Sequence, residues 1–491
     1  MTADELLDAL REVIDPELGI NIVDLGLVDE VTHTERRVRV RLGMTSPACP
    51  VGPLMRRSAR DALLRLPGVE EVEVLPASDF RWSPERMSSA AREQLANRGA
   101  APARGDLVQF PSTSRDSGEA ETARGSEEQT AQPSRSTLAW QRLPLLAAGL
   151  LSLVAASWGG LVRLGWPWPI PEPAWVSAHG PLMVCGFLGT LIGVERAVGI
   201  ERRWAFAGPI ITGLGALSLL TAFPGRVPAS LMSVGSLVLV AVFSSLLKRQ
   251  RDLATVTMGV GALCWLVGNL LWLSGFSVPQ LVPWWMAFLV LTIAGERLEL
   301  SRFLTPPAGA MLGFGASTST VLAGCSLSLM QPDWGVRVFG LGLLGLTAWL
   351  ARHDVARATL SRSGLPRFVA VCVLSGYCWL AVSGALGIGL GSAGAGPNYD
   401  AFLHTLFVGF SLSMVFGHAP IIFPSVLNRP LVFRRAFYFQ LIVLHTGLVM
   451  RLAGDMAGVS ELRLCGGLFN AAAIGIFLIN TIRSIQIRNS P

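Results

Sequence analysis

Six histidines occur in the 491 residues, and four of them lie inside long apolar stretches. These four are His179, His404, His418 and His445. A polar side chain inside a membrane must find a partner or face a cavity, so an intramembrane histidine indicates a functional site. Neutral imidazole is the commonest metal ligand in proteins and a frequent axial ligand to haem iron. The other two histidines, His33 and His353, lie outside these stretches, and we assign them no role.

The apolar stretches decide the class of protein. Hydrophobic residues make up 51% of the chain and charged residues only 15%, which excludes a single soluble enzyme, a disordered protein and a secreted disulfide scaffold. Between residues 138 and 491 we count twelve stretches near or above the length that crosses a bilayer, of which the sixth and eighth look short. The sequence therefore predicts a polytopic all-α membrane domain of about 12 transmembrane helices, embedded in a lipid bilayer.

Loop charges predict how these spans are oriented. Arginine and lysine collect on alternate connections, such as 248–251 and 429–435, whereas the intervening connections, such as 391–399, are nearly bare. Basic residues near span ends favour the cytoplasmic side, so we expect a multi-pass protein of the cytoplasmic (inner) membrane with both termini in the cytoplasm. The acidic N-terminus has no apolar core, so we expect no signal peptide. The net charge of +6 is too small to predict a nucleic-acid partner.

This topology places the four histidines in depth. Spans 2 and 10 run inward, so His179 and His404 lie a few residues below the outer surface, and His445 on span 11 lies roughly 10 Å from its outer end at ~1.5 Å per residue. His418 is about 21 Å further along the helix that carries His404, near the cytoplasmic end. We predict that His179 and His404 hold a haem b, which needs no Cys-x-x-Cys-His attachment. Copper is the alternative or additional metal, with His445 as third ligand, and hydrogen bonding between helices is the structural alternative.

A short pattern recurs every four spans. The second span ends in Gly193-Val194-Glu195-Arg196, the sixth in Gly295-Glu296-Arg297, and the tenth carries Gly417-His418. The offset predicts three quasi-equivalent four-helix units, although many membrane helices end in glycine and arginine. We expect the glutamate–arginine pairs to form interfacial ion pairs, with proton transfer as the alternative.

Residues 1–100 have the pattern of a small soluble α+β domain. Apolar residues have helical spacing near 6–13 and 54–66, whereas 38–42 and 69–74 alternate as half-buried strands. We predict the element order α, β, β, α, β for the domain. A further helix is predicted from Ser83-Pro84-Glu85 to Asn97. Residues 101–137 are rich in Ser, Thr, Arg, Glu and Gly, and we predict a disordered linker there. The chain is thus a multi-domain protein, with the membrane domain at 138–491.

The N-terminal domain resembles a known family. The segments Ile14-Asp15-Pro16-Glu17-Leu18-Gly19 and Thr45-Ser46-Pro47-Ala48-Cys49-Pro50 are similar to the metal-sulfur cluster assembly domain of the SufT and PaaD type, and the resemblance covers residues 3–98. It implies a role in maturing iron–sulfur proteins, with Cys49 as the thiol of interest, Asp15 and Glu17 in the loop facing it, and apo-proteins or assembly factors as partners.

The position of Cys49 adds a chemical expectation. The cysteine precedes a helix that starts near Pro50, so we expect the helix N-terminus to favour its thiolate, which can ligate iron or accept an iron–sulfur cluster transiently. A buried structural cysteine is the alternative. With one cysteine per domain, a bridging cluster needs a second chain or a partner protein.

The membrane domain resembles a second family. His179-Gly180-Pro181-Leu182-Met183 and Leu403-His404, with Gly409 and His418 further on, are similar to motifs of the NnrS family of twelve-span haem- and copper-containing proteins linked to nitric oxide and nitrosative stress. A more distant likeness to the main subunit of haem–copper oxidases fails, because the sixth span has no histidine and the tenth has no His-x-His.

The two resemblances together imply a membrane metalloprotein fused to a cytoplasmic cluster-assembly domain, which senses, relays or repairs damage at metal centres. A transporter of a metal or small anion, regulated by the soluble domain, is the alternative from another class. A membrane scaffold for the assembly domain is a third possibility, although twelve spans exceed what tethering needs. The substrate, any enzymatic activity and the oligomeric state stay open.

Overall fold

The computed structural model describes residues 2–46, 49–77, 80–96, 137–223 and 225–485. All of the predicted linker at 101–137 except its last residue lies outside these ranges. The described chain is a small α+β domain followed by a helical membrane part, as the sequence predicts.

The N-terminal domain contains, in its described residues, a three-stranded sheet of order β1-β2-β3. Its elements are α1 (Ala3–Arg11), β1 (Val28–Thr34), β2 (Arg37–Leu42), α2 (Gly52–Leu63), β3 (Glu71–Pro76) and α3 (Ser89–Ala96). β1 and β2 form an antiparallel hairpin, and β2 pairs in parallel with β3 because α2 crosses over between them. The predicted order α, β, β, α, β is confirmed.

The last helix of the domain begins later than the sequence predicts. A single turn of 3-10 helix, Pro84–Arg86, follows Ser83, and the backbone at Met87 is then extended, with a ψ angle of 145°. The Met87 side chain is buried in the domain core, and the hydroxyl of Ser88 accepts the N–H of Ala91 at 3.1 Å. The helix therefore starts at Ser89, because burial of Met87 interrupts the predicted run; the predicted end at Asn97 lies outside the described residues.

In the described part of the chain, twelve helices are long and apolar enough to cross a membrane, which agrees with a multi-pass membrane protein. We number them as spans 1 to 12: Trp140–Leu164, His179–Ile200, Arg203–Leu220, Val227–Leu247, Leu253–Leu273, Val278–Leu304, Ala308–Ser328, Pro332–His353, Gly364–Leu390, Pro397–Leu427, Phe437–Ala457 and Ser460–Ser484. The expectation that spans 6 and 8 are short is wrong, since they have 27 and 22 residues. Span 6 continues beyond Glu296 and Arg297 because both charges are paired.

The N-terminal domain packs directly on one end of the bundle. Phe303, at the end of span 6, and Val355, just after span 8, belong to the apolar core of this domain. The rings of Trp82 and Phe303 have centroids 4.5 Å apart, and the Trp82 indole N–H donates to the Leu25 carbonyl at 2.8 Å. We call this end of the bundle the docked end and the opposite end, where spans 2 and 10 begin, the far end.

Candidate functional site

His179 and His404 line one cavity at the far end of the bundle. Each lies in the first part of its span, and their ring centroids are 6.3 Å apart with planes inclined by 22°. The cavity contains about 980 Å³ of atom-free space, its open mouth included. The structure thus brings together the two histidines that the sequence pairs.

The hydrogen bond of each ring fixes which nitrogen is free to bind a metal. Nδ1 of His179 lies 2.7 Å from the Ala156 carbonyl oxygen, and Nδ1 of His404 lies 2.9 Å from that of Asp400. A carbonyl oxygen only accepts hydrogen bonds, so each Nδ1 carries the proton. The lone pair of each neutral ring is therefore on Nε2, and backbone carbonyls commonly orient metal-binding histidines in this way.

The wall of the histidine cavity is mainly apolar with one cation at its edge. Leu403, Phe187 and Phe407 line it, and so does Arg451. Asp400 accepts two hydrogen bonds from Arg451, at 2.6 and 2.7 Å, which hold the guanidinium in place. Gly160 also lines the cavity, and a Cβ there would lie 2.7 Å from Cε1 of His179. The position of the His179 ring therefore requires glycine on span 1.

Spans 2 and 10 share an unusual backbone next to these histidines. Each changes to π-helix, over Leu182–Gly189 in span 2 and Thr405–Leu412 in span 10. Within these segments Gly189 lies against Trp265 and Gly409 against Trp379, so closely that a Cβ would lie 2.2 and 2.5 Å from the indoles. π-helical turns often occur at functional sites because they redirect side chains.

His445 does not join the pair. Its Nδ1 accepts the indole N–H of Trp379 at 2.9 Å, and its Nε2 lies 3.0 Å from the Ser375 hydroxyl. Both nitrogens are thus engaged in hydrogen bonds between helices. In the described ranges no three His, Cys, Asp or Glu side chains are arranged to hold a metal ion. The predicted copper site with His445 as third ligand is therefore not formed.

Arg297 of span 6 joins the two parts of the protein. Its side chain is 1% exposed and donates to Asp354 at 2.7 and 2.8 Å and to Glu17 of the N-terminal domain. Asp354 also accepts the Tyr377 hydroxyl at 2.7 Å. Burial raises the pKa of Asp354, but the charge of Arg297 and these hydrogen bonds outweigh burial and lower it. Glu17 is therefore held by the membrane part rather than facing Cys49 alone.

The three repeated motifs meet beside this ion pair. Arg196 donates to Glu195 at 3.0 Å and also to Glu296 of the neighbouring span. Nε2 of His418, on span 10, lies 3.8 Å from the Glu17 carboxylate, and its Nδ1 lies 2.9 Å from the Met414 carbonyl oxygen. Helix-end ion pairs are present, as the sequence predicts, but they link different spans.

Cys49 lies half-buried in the junction between the domain and the bundle. Its neighbour Thr45 is 3.5 Å from Glu299 of span 6. Burial raises the pKa of Cys49 to about 12, with a further increase from the charge of Glu299. Hydrogen bonds from the Val51 and Gly52 amides lower it by less. The expectation that the helix N-terminus favours the thiolate is wrong in this docked arrangement, because burial outweighs the helix dipole.

Asp15 lies close enough to Cys49 for its charge to act on the thiol, as the predicted facing loop requires. Its carboxylate accepts the N–H groups of Glu17 and Leu18, both at 2.9 Å. Burial nevertheless raises the pKa of Asp15 to about 6. The loop is thus a compact turn around one carboxylate.

Comparison with known proteins places both parts of the chain. A family model described as Domain of unknown function (DUF8744) matches residues 142–486, which is more than half of the chain. The chain belongs to this DUF8744 family. A second model, described as Iron-sulfur cluster assembly protein, matches residues 3–74.

The relatives of the N-terminal domain have a consistent description. The Fe-S protein maturation auxiliary factor YitW of Bacillus subtilis (strain 168) is 36% identical over 93 residues, which are 19% of this chain and 91% of YitW. The factor SufT of Staphylococcus aureus (strain USA300) is 38% identical over 84 residues, 17% of this chain and 96% of SufT. The crystal structure of DUF59 from Bacillus anthracis is 38% identical and covers 19% of this chain and 90% of that one, with a TM-score of 0.18. The N-terminal part is thus an iron–sulfur cluster assembly domain, as its motifs predict, whereas the NnrS likeness of the DUF8744 region stays a prediction.

Several residues of the DUF8744 region that build these sites were not singled out from the sequence. Arg451 and Asp400 border the histidine cavity, and Asp354 and Tyr377 complete the Arg297 network. Charged residues inside or beside apolar stretches were the available signal, because such charges need partners. Midplane charges and broken spans would favour a transporter. In the described spans the charges lie near the span ends, and spans 2 and 10 continue through their π segments without a break.

Proposed function

We propose that this chain is a membrane haem protein whose docked iron–sulfur assembly domain presents Cys49 to the membrane part. The observation that carries the haem proposal is the pair His179 and His404, which line one cavity with centroids 6.3 Å apart. With metal–nitrogen bonds of about 2 Å, two imidazoles on opposite sides of one iron have centroids on the order of 6 Å apart. The spacing and the free Nε2 lone pairs therefore fit two imidazoles that would hold one iron.

The lining of the cavity also suits a mostly apolar group that carries a negative charge. Its wall is mainly apolar, and Arg451 lies where it can pair with a carboxylate of the bound group. When bound through His179 and His404, haem would supply one-electron redox chemistry. The residues of the chain orient the two rings through Ala156 and Asp400 and exclude water with Phe187 and Phe407.

The test is the optical spectrum of the purified full-length protein in detergent. We expect a Soret band that the double change His179→Ala and His404→Ala abolishes. His445→Ala is the matched control, because that ring already has partners on both nitrogens, and it should keep the band. A Soret band that survives the double change would rule out these ligands, and no band after addition of haem would defeat the proposal.

A single copper(I) ion is the second candidate for the same pair. Two imidazoles on opposite sides of one ion would have a similar separation of about 6 Å, but a copper ion would fill little of the cavity. Metal analysis separates the candidates. If the protein contains copper but has no Soret band, and if the double variant contains no copper, then copper rather than haem is the ligand of this pair.

We propose further that Cys49 binds an iron–sulfur cluster transiently on behalf of apo-proteins or assembly factors. The family of the N-terminal domain supports cluster handling, and Cys49 lies against span 6, so a soluble partner has access only when the docked contacts loosen. Iron and sulfide retained after reconstitution should fall sharply in Cys49→Ser. Cys465→Ser, which changes an exposed cysteine of span 12, should retain both, and equal retention in the two variants would exclude Cys49.

The combined sites suggest a role in nitrosative stress, because nitric oxide attacks iron–sulfur clusters. Cells that lack the chain should regain activity of cluster-dependent enzymes more slowly after nitric oxide exposure, and Cys49→Ser should not restore the rate. Equal recovery in all strains would remove the nitric oxide link while leaving the cofactor proposal intact.

We also propose that the docked end faces the cytoplasm. The basic connections that favour the cytoplasmic side adjoin this end, and exposed Cys465 lies near the far end. An impermeant thiol reagent added to intact cells should label Cys465, and labelling only after lysis would reverse the orientation.

A further inference from the structure

A second cavity lies between the histidine cavity and the docked end. It is bounded by spans 2, 6 and 10 and contains about 640 Å³ of atom-free space, its openings included. Most of its wall is apolar, but Glu195, Glu296, His418, Thr292 and Ser411 also line it. We call this space the acidic chamber.

Two hydroxyls of the acidic chamber indicate that it is hydrated. Thr292 and Ser411 are each 1% exposed, and the described residues offer no hydrogen-bond partner to either Oγ atom. A buried hydroxyl without a partner costs about 1–3 kcal/mol, and a polar cavity of this size can hold water molecules that satisfy such groups. Connected water molecules also conduct protons.

The charges at the docked end of the chamber do not balance. Among the described residues of this cluster there are four carboxylates, which belong to Glu17, Glu195, Glu296 and Asp354, but two guanidiniums, those of Arg196 and Arg297. Glu299 and Asp15 add further negative charge around the cluster and Arg302 adds one positive charge. Glu195 is buried and shares the single guanidinium of Arg196 with Glu296, and an uncompensated buried charge costs several kcal/mol, so the cluster attracts a cation such as a proton.

The acidic chamber adjoins the histidine cavity. Leu188, in the π-helical segment of span 2, lines both spaces. On span 10, Ser411 lines the chamber and the next residue, Leu412, lines the histidine cavity. The side chain of Leu188 therefore forms part of the wall between the two spaces.

We propose that the acidic chamber is a proton reservoir that fills from the docked end through Glu17 and His418 and supplies the histidine cavity past Leu188. The step moves only protons, from a carboxylic acid to water and onward, and no electrons. Delivery to the histidine cavity rests on the proposed function: a haem held by His179 and His404 would supply one-electron redox chemistry, and a proton from the chamber would offset the negative charge that an added electron brings.

The reservoir itself can be tested without haem. Infrared difference spectra of the full-length protein between acid and neutral pH should contain a protonated-carboxyl band that shifts quickly in D₂O, because the chamber is hydrated. Glu195→Gln and Glu296→Gln should each remove part of this band. Glu461→Gln, which changes an exposed glutamate at the start of span 12, is the control and should not. A band that is unchanged in both chamber variants, or that resists exchange, would overturn the reservoir.

Proton delivery is tested on the haem-containing protein reduced with a chemical reductant. Proton uptake per haem should fall at least about twofold in Glu195→Gln and Glu296→Gln if these groups share the proton, while the Soret band stays. Leu188→Phe should slow the uptake, whereas Leu214→Phe, on the exposed surface of span 3, should not. Normal uptake in the chamber variants would refute delivery even with haem present. A wild-type protein without a Soret band would defeat the proposed function and, with it, delivery to the histidine cavity; the infrared result would still decide the reservoir.

Discussion

The two ends of the bundle bury polar groups in different ways, although spans 2 and 10 build both. At the far end two neutral imidazoles are oriented by backbone carbonyls, which leaves their lone pairs for a ligand. At the docked end the guanidiniums of Arg196 and Arg297 are paired with carboxylates of neighbouring spans and of the N-terminal domain, and carboxylates are in excess. A neutral imidazole can be buried while the lone pair of one nitrogen has no partner, whereas a buried charge must be paired. The far end is thus suited to binding a cofactor and the docked end to holding two domains together.

The largest expected effect breaks the docked end. Asp354→Asn leaves the buried guanidinium of Arg297 without its two-point partner, and loss of one member of a buried pair costs about 3–5 kcal/mol. We expect a lower thermal unfolding midpoint in detergent and earlier proteolytic release of the N-terminal domain. Asp333→Asn, in an exposed pair with Arg337, is the control, and an equal shift in both variants would contradict the comparison.

A smaller effect concerns the pH dependence of the docked loop. Burial raises the pKa of Asp15 to about 6 from an unfolded value near 4, so the folded chain keeps this proton longer than the unfolded chain. The contribution of Asp15 to stability is therefore complete below about pH 4 and is lost as the pH rises through about 6, by at most about 3 kcal/mol.

The variant Asp15→Asn tests the direction of this pH dependence of stability. Asparagine can accept the same two N–H groups and has no proton to lose, so the variant should be the more stable protein near neutral pH and equal to wild type near about pH 4. Unfolding midpoints measured across this pH range show whether the stabilities of the two proteins diverge as the pH rises. The control Asp61→Asn changes an exposed residue of α2 and should show no pH-dependent difference; a constant difference in Asp15→Asn would refute the assignment.

At the far end, Gly160→Ala sharpens the comparison. The new methyl would lie 2.7 Å from Cε1 of the His179 ring, so the ring must shift from its present position in the cavity. Misplaced ligand rings weaken metal binding by about 10-fold or more, which haem titration of the purified protein would measure. Gly389→Ala, where a Cβ contacts nothing within 4 Å, should leave haem affinity unchanged. Retained affinity in Gly160→Ala would show that the ring position is not critical.

The smallest expected effect concerns access to Cys49. Glu17→Gln removes one charge of the junction, while Arg297 keeps its pair with Asp354. The N-terminal domain should therefore separate from the bundle more often. If the opening equilibrium shifts by about 1 kcal/mol, Cys49 should react with a thiol reagent about fivefold faster. Labelling is measured in a background with Cys378 and Cys465 changed to serine, since both are exposed. Glu12→Gln breaks only the exposed Glu12–Arg65 pair of the domain surface and should leave the rate unchanged; faster labelling in both variants would argue against a specific lock.

Much of the architecture followed from local patterns. The alternation of Val38, Val40 and Leu42 with arginines predicted β2, because side chains of a strand point alternately to two faces. The late start of α3 and the π segments after His179 and His404 were not predictable, since burial of Met87 and contacts of Gly189 and Gly409 with indoles decide them.

The candidate site divides in the same way. Composition and periodicity, which are local properties, determined that a small α+β domain precedes twelve apolar spans and that His179 and His404 lie in the first part of two of them, while the resemblance of the N-terminal motifs to a known family implied the cluster-assembly role. Only the tertiary structure decided that these two rings share a cavity, that His445 is engaged elsewhere, and that Glu17 meets Arg297, 280 positions away. Contacts between distant residues depend on which helix faces pack together, and hydrophobic periodicity indicates a buried face without naming its neighbour.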